Sequence, residues 1–227
     1  MLNFSDPIIK CDFKSVYTPS DDTYLILDYF KSKIDSSYFD GIKINKIKKI
    51  LDLGTGTGII AIFFHLIKKN LQNFNPKIYA SDILKEAIKC AEINQKLNGI
   101  DHELIFIHSN LFQSFPINLK NSFNIIIFNP PYLPSSQLIK KEDKIAIDYS
   151  WDGGPKGYGL ILNFLKIANS FLNLQKQHYI YFITSNRTNL NFLNKKITVL
   201  GYQNEIVQQK RLFFEQLYLN RLKYIKT

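Results

Sequence analysis

Asn129, Pro130, Pro131 and Tyr132 stand in a row directly after Phe123-Asn124-Ile125-Ile126-Ile127-Phe128. The apolar run reads as a buried strand. Two successive prolines end its hydrogen-bond ladder, because neither can donate from the backbone. The chain therefore leaves the sheet abruptly, with the Asn129 side chain and the Pro130 carbonyl presented at the strand's C-terminal end, the edge where open α/β sheets bind ligands. Two acceptors there suit a planar NH2 group: they take both hydrogens and turn the nitrogen lone pair toward an electrophile. Tyr132 is placed to cover the same group with a flat ring. An Asn-Pro turn leaving a strand satisfies the same four residues without any chemistry, so the elements upstream decide between the readings.

The first of these elements is Lys49-Ile50-Leu51-Asp52-Leu53, a strand that runs into Gly54-Thr55-Gly56-Thr57-Gly58. The apolar stretch from Ile59 to Lys69 follows at helical length. Strand, glycine loop and helix in that order form a nucleotide-binding unit. A phosphate-cradling loop needs Lys-Ser/Thr after its glycines, and none is present. Gly56, Gly58 and Ala61 fit the looser dinucleotide spacing. Asp52 argues against that ligand, since a carboxylate at the strand end repels a pyrophosphate. It suits a cofactor bearing an ammonium group and no phosphates, such as S-adenosyl-L-methionine. A second strand, Lys77 to Ser81, ends at Asp82, which is placed either to accept both hydroxyls of a ribose or to cap the amphipathic helix Lys85–Leu97. A third strand, Glu103 to His108, leads to Asn110 and Leu111, an amide and an apolar side chain suited to an adenine edge and face.

The rest of the chain supports one α/β domain. Residues 1–15 have no period and are expected as an extended or partly mobile arm, with residues 16–227 as the domain. Ser20 or Asp21 can cap a helix over about Asp22 to Ile34, and 35–46 reads as a loop with a weak helical pattern. Residues 133–157 lack periodicity and end in Trp151-Asp152-Gly153-Gly154-Pro155-Lys156-Gly157, expected as a substrate-side wall with the chain's one Trp. A helix from about Gly159 to Leu172, a strand His178 to Thr184 and a helix Leu190 to Leu200 come next. Runs near Asn204–Gln208 and Gln216–Ile225 suggest a closing hairpin at the sheet edge.

Composition bounds the partners. The 227 residues are 45% hydrophobic, enough for a full core. The net charge of +10 suits an acidic partner such as RNA. Only Arg187, Arg211 and Arg221 are arginines, however, so 26 of the 29 basic residues are lysine, and a mainly solvated charge is expected. Cys11 and Cys90 form no metal-type pair, and His65 and His108 read as structural or surface residues; no metal is expected. With no run near ~18 apolar residues and no signal-peptide pattern at Met1, a cytoplasmic protein with free thiols and no membrane partner is expected.

Taken together, Asp52-Leu-Gly-Thr-Gly-Thr-Gly58, Asp82 and Asn129-Pro-Pro-Tyr132 resemble class I S-adenosylmethionine-dependent methyltransferases that modify amino or amide nitrogens. Val16-Tyr17-Thr-Pro-Ser-Asp-Asp-Thr23, the extension to Pro134 and Trp151-Asp-Gly-Gly-Pro-Lys-Gly157 narrow the resemblance. They are similar to the short archaeal and eukaryotic branch of the HemK-type protein-glutamine methyltransferases, over about Val16 to Ile225. The resemblance implies a Rossmann-like seven-stranded sheet flanked by helices, with a reversed final hairpin. It implies methylation of the glutamine in the Gly-Gly-Gln tripeptide of a class-1 release factor. Cofactor contacts are implied for Tyr17, Thr23, Asp52, Gly54, Gly56, Asp82, Asn110, Leu111 and Asn129, and target-side roles for Asn129, Pro130, Pro131, Tyr132 and Trp151. The family commonly has Asp where this chain has Asn110, which implies weaker cofactor binding at most. A small zinc-binding activator subunit is implied as well. Leu104-Ile105-Phe106-Ile107, apolar on both faces, is the edge it would cover unless a helix of the same chain does so. The rival enzyme is a methyltransferase acting on exocyclic amino groups of adenine or guanine in nucleic acid; the rival non-enzyme is a silent scaffold for a translation factor.

Overall fold

The computed structural model describes residues 4–134 and 156–226. The wall expected at 133–157 falls largely outside these residues, Trp151 with it. A central strand β3 (Lys49–Leu53) is flanked by β4 (Lys77–Asp82) and β6 (Ile125–Phe128), with β5 (Ile105–His108) beyond β4 and β7 (Tyr179–Ser185) beyond β6. These five strands are parallel. The sheet closes with β9 (Gln216–Tyr224), antiparallel to β7, and β8 (Tyr202–Arg211) outside it, giving the order β5-β4-β3-β6-β7-β9-β8. Strand order reverses between β3 and β6, and that reversal opens a crevice at the strands' C-terminal ends.

The central strands are apolar throughout because both faces are covered. Ile50, Ile78, Ile125, Ile127, Tyr181 and Ile183 point into one core, shared with helices α1 (Asp21–Lys33) and α2 (Ile59–Asn70). Leu51, Leu53, Tyr79, Ile126, Phe128, Ile180 and Phe182 point into the other, shared with α4 (Gly159–Ala168) and α5 (Leu190–Val199). The alternation follows the two-residue period of a strand. Helix α3 (Lys85–Leu97) lies beside α2 over β4 and β5.

Two expectations are corrected and a third is narrowed. The stretch 35–46 is no loop: Tyr38–Phe39 and Ile42–Lys43 form a two-stranded hairpin, β1 and β2, and a 3-10 turn follows at Ile44–Lys46. Its turn residue Asp40 is buried and accepts from the hydroxyls of Tyr29 (2.9 Å) and Tyr181 (2.6 Å), and it pairs with Arg221 at 2.7 Å. These partners come from three distant elements, so no local pattern announces the hairpin. Helix α4 ends at Ala168 rather than Leu172, with Asn169 as its C-cap. The N-terminal arm is extended but tied down. Asn98 of the α3 C-cap accepts from Ile8 N–H (2.9 Å) and donates to its carbonyl (2.8 Å), and Asn94 accepts from Lys10 N–H (2.8 Å). Two asparagine side chains thereby act as a partner strand for the arm.

Candidate active site

The glycine loop is built by the sequence that follows β3. Gly54 (φ 68°) and Gly58 (φ 84°) lie in the left-handed region, where a side chain is strained. A Cβ on Gly54 would sit 3.1 Å from the Phe128 ring, and one on Gly58 would sit 2.8 Å from the Ala91 Cβ of α3. Glycine at these two positions lets the loop turn and lets α2 approach α3. Gly58 is also the N-cap of α2, so the helix N-terminus faces the crevice.

The loop forms one wall of a cavity of about 680 Å³, within the range of small-molecule sites. Tyr17, Thr23, Gly54, Gly56, Asp82, Asn110, Leu111, Asn129 and Pro131 all line it, so most of the residues implied for cofactor contact come together there. Phe128 and Leu160 add apolar surface, and Asn163 a polar side chain from α4. Asp82 lies at the end of β4. Its Oδ2 accepts from Gly56 N–H and its Oδ1 from Leu84 N–H, both at 2.9 Å. Asp82 thus stitches the glycine loop to the start of α3, while Leu84 occupies the N-cap itself. Burial raises its carboxyl above the usual range, against the lowering effect of those backbone N–H groups.

Asp52 is placed differently from the expectation. It is 1% exposed and is not among the residues that line the cavity. Its Oδ2 accepts from the Thr55 hydroxyl at 2.6 Å and from Ala61 N–H at 3.2 Å, holding the loop against the first turn of α2. Burial pushes its carboxyl up to about 7, with the Thr55 and Ala61 hydrogen bonds opposing and the Asp82 charge adding to the rise. Pro130 and Tyr132 also stand outside the lining.

Beside Asn129 the arrangement turns on Asp22, a residue to which the sequence assigns no role. This buried carboxylate accepts from the Tyr17 hydroxyl (3.2 Å), the Tyr132 hydroxyl (3.3 Å) and the Thr23 hydroxyl (3.0 Å), and also from Thr23 N–H. An ionised carboxylate only accepts. The Thr23 hydroxyl must therefore spend its proton on Asp22, which leaves its oxygen to accept from Asn129 Nδ2 at 3.4 Å. That order of donors fixes which way round the Asn129 amide lies. Its Oδ1 is buried and has no hydrogen-bond partner among the described residues. An unpaired buried acceptor is costly, and the residue that carries it lines the cavity. Burial, and then the Asp22 charge, raise the Tyr132 hydroxyl far above its ordinary value, so it remains a proton donor.

Nothing local marks Asp22, since acids in the first turn of a helix are common for reasons of the helix dipole alone. Only the packing of Tyr17 and Tyr132 around it reveals its function.

Comparison with known proteins agrees with this geometry. Residues 36–145 match the family described as methyltransferase small domain. A Methanocaldococcus jannaschii protein that carries the name protein N5-glutamine methyltransferase is 31% identical over 204 residues, 89% of this chain and 88% of its own length. The catalytic subunit of the eRF1 methyltransferase of Schizosaccharomyces pombe is 25% identical over 78% of this chain and 76% of its own. A release factor glutamine methyltransferase of Flavobacterium psychrophilum is 40% identical, but over 48% of this chain and only 36% of its own length. Among solved structures, the Encephalitozoon cuniculi Mtq2–Trm112 complex shares the fold, with a TM-score of 0.63 at 19% identity over 92% of this chain and 98% of the other. The extent and identity of the archaeal match, on a class I methyltransferase fold whose crevice gathers Asp82, Asn129 and the glycine loop, place this chain in the protein N5-glutamine methyltransferase family.

Proposed function

We propose that this chain uses S-adenosyl-L-methionine to methylate the side-chain nitrogen of the glutamine in the Gly-Gly-Gln tripeptide of a class-1 release factor. The observation that carries the reading is the buried Oδ1 of Asn129, which has no partner among the described residues and is oriented by the Asp22–Thr23 chain of hydrogen bonds. Such an atom lacks an N–H donor, and a carboxamide NH2 supplies two. The Pro130 carbonyl, directly after Asn129 in the chain, is proposed as the second acceptor.

The residues fit the cofactor. The cavity wall provides an acid at the end of β4 for a ribose, a close backbone approach at Gly54 and Gly56, and apolar side chains at Leu111 and Leu160. When bound, S-adenosyl-L-methionine would supply an electrophilic methyl group on a sulfonium whose sulfur leaves as a neutral thioether, with one of the two amide N–H protons released to water. The chain's part is to make a poor nucleophile competent. An amide lone pair is delocalised into its carbonyl, and holding both N–H hydrogens in fixed acceptors favours the pyramidal nitrogen that attack requires. Tyr132 and Tyr17, both anchored on Asp22, hold the surrounding wall in place. Positioning of the nitrogen in line with the methyl supplies much of the remaining rate.

The same reading gives the chain a small zinc-binding activator subunit at the free edge of the sheet. The support is that β5 is an outer strand whose Ile105 is 39% exposed, with Phe106 and Ile107 half-buried, a composition ill-suited to an open edge. Translation as the setting makes the cytoplasm the expected location, and no helix among the described residues is long and apolar enough to cross a membrane.

The test is methyl transfer from labelled cofactor, with and without the activator co-expressed. The acceptors are a release factor, its variant with alanine in place of the Gly-Gly-Gln glutamine, total RNA and DNA. Label on the native factor and not on the variant is expected. Label on nucleic acid alone would move the function to an exocyclic amino group of adenine or guanine, the reading that the +10 charge favours.

A further inference from the structure

The turn between β8 and β9 holds two aromatic rings in the open. Phe213 is 91% exposed and Phe214 77%. The rings pack edge to face on each other, with centroids 4.5 Å apart, rather than into either core. The turn beneath them is fastened at several points. Leu212 N–H donates to the Glu215 carbonyl at 2.7 Å, and Arg187 donates to the Phe214 carbonyl at 3.3 Å. Asn186 and Gln216 exchange two hydrogen bonds of 3.0 Å, and Lys210 pairs with Asp21 at 2.7 Å. A stiffened turn that displays apolar rings does not lower the free energy of the isolated chain; it fits a surface waiting to be covered.

Its position says what covers it. β9 runs antiparallel to β7 with Ser185 opposite Leu217, so the turn projects beyond the C-terminal ends of the parallel strands, the edge that carries Asn129. Two contacts tie it to the target side of the cavity. The Thr188 hydroxyl, next to Arg187, donates to the Tyr132 carbonyl at 3.2 Å. The Lys210–Asp21 pair lies one residue from Asp22. At the foot of the rings, Glu215 Oε1 is buried and takes no hydrogen bond from any described residue, and its charge contributes to the raised Tyr132 hydroxyl. A carboxylate beside the rings repels a phosphate backbone. Protein therefore suits this turn better than nucleic acid.

We propose that the β8–β9 turn is the docking point for the body of the protein substrate. Phe213 and Phe214 enter an apolar socket on it, and the exposed Arg211 faces acidic residues on the socket's rim. The inference rests on the reading of the substrate as a protein, and it assigns to this turn the affinity that a single glutamine side chain cannot provide.

The experiment compares the full chain with its Phe213→Ser, Phe214→Ser double variant, and measures binding of the intact release factor, methyl transfer at saturating factor and cofactor affinity. The expected result is a loss of factor affinity of about tenfold or more, with the saturated rate and the cofactor Kd unchanged. A circular dichroism spectrum and melting temperature matching the parent show that the fold is intact. Unchanged affinity for the factor overturns the proposal. So does an affinity loss confined to RNA or DNA, or a parent dimer that the variant converts to monomer. If the parent transfers no methyl to the factor, the functional reading itself fails and this proposal with it. If the parent modifies the factor and the variant binds it equally, the proposal alone falls.

Discussion

Asp22 shows how much of a site can depend on a residue that never touches the cavity's contents. Its two oxygens organise Tyr17, Tyr132 and Thr23, and through Thr23 they set the orientation of Asn129. Asp22→Asn keeps the shape but adds donors. The Thr23 hydroxyl then no longer has to donate toward residue 22, and the Asn129 amide can turn over. Losing a hydrogen bond to a charged group is worth about 1–3 kcal/mol, or roughly ten- to a hundredfold in rate when the loss falls on the transition state. We expect kcat to fall by that amount while the cofactor Kd moves less than about threefold, since the Asp82 and glycine-loop contacts are untouched. Steady-state kinetics beside calorimetric cofactor titration checks this, and equal losses in kcat and cofactor affinity would remove Asp22 from the positioning role. Asn129 and its prolines are legible in the sequence because two prolines directly after an apolar run fix where the strand must stop. Asp22 is not legible, because its partners are separated from it by up to 110 residues.

At the scale of elements, the glycine loop is a packing device as well as a wall of the cavity. Gly58 joins a left-handed backbone to a close approach, its absent Cβ lying 2.8 Å from Ala91 Cβ and 3.1 Å from Ala91 Cα. Gly99, at the end of α3, has φ 63° and open space around it. Gly58→Ala therefore carries both a backbone cost of about 1–2 kcal/mol and an overpacking cost of about 1–3 kcal/mol, while Gly99→Ala carries only the first. Urea unfolding of the two variants should separate them by the overpacking difference, and equal midpoints would show that α3 yields freely at Ala91. The βα units are legible element by element: Lys85–Leu97 is read to the residue, and α2 ends at Asn70, one residue beyond the expected Lys69. Their amphipathic or fully apolar periods state their burial directly. The β1–β2 hairpin is not legible, because two-residue strands carry no period and Asp40 is held by Tyr29, Tyr181 and Arg221 from elsewhere in the chain.

For the whole molecule, the buried Asp52 couples global stability to pH. Its carboxyl is raised in the folded chain to about 7 from an ordinary 3.8. Between those values the folded state keeps a proton that the unfolded state has released. Stability therefore falls as pH rises through this window, by at most about 1.4 kcal/mol per pH unit from this group, and the effect levels off above pH about 7 where both states are ionised. Asp52→Asn should flatten the profile between pH about 4 and 7 relative to the parent. Superimposable slopes of denaturation free energy against pH would show that Asp52 is not the group responsible.

Sequence alone determined the α/β class, the succession of strands and helices, the closing hairpin, and the glycine loop, Asp82 and Asn129 as candidate residues, which the fold gathers around one cavity. It could do so because periodicity, glycine spacing and paired prolines are local constraints on the backbone. Tertiary structure alone decided that Asp52 braces the loop rather than lining the cavity, that Asp22 orients the Asn129 amide, and that Phe213 and Phe214 project on the same edge as that amide. Each of these depends on which distant side chains meet in space, and the strand order that brings them together is written in no single stretch of the chain.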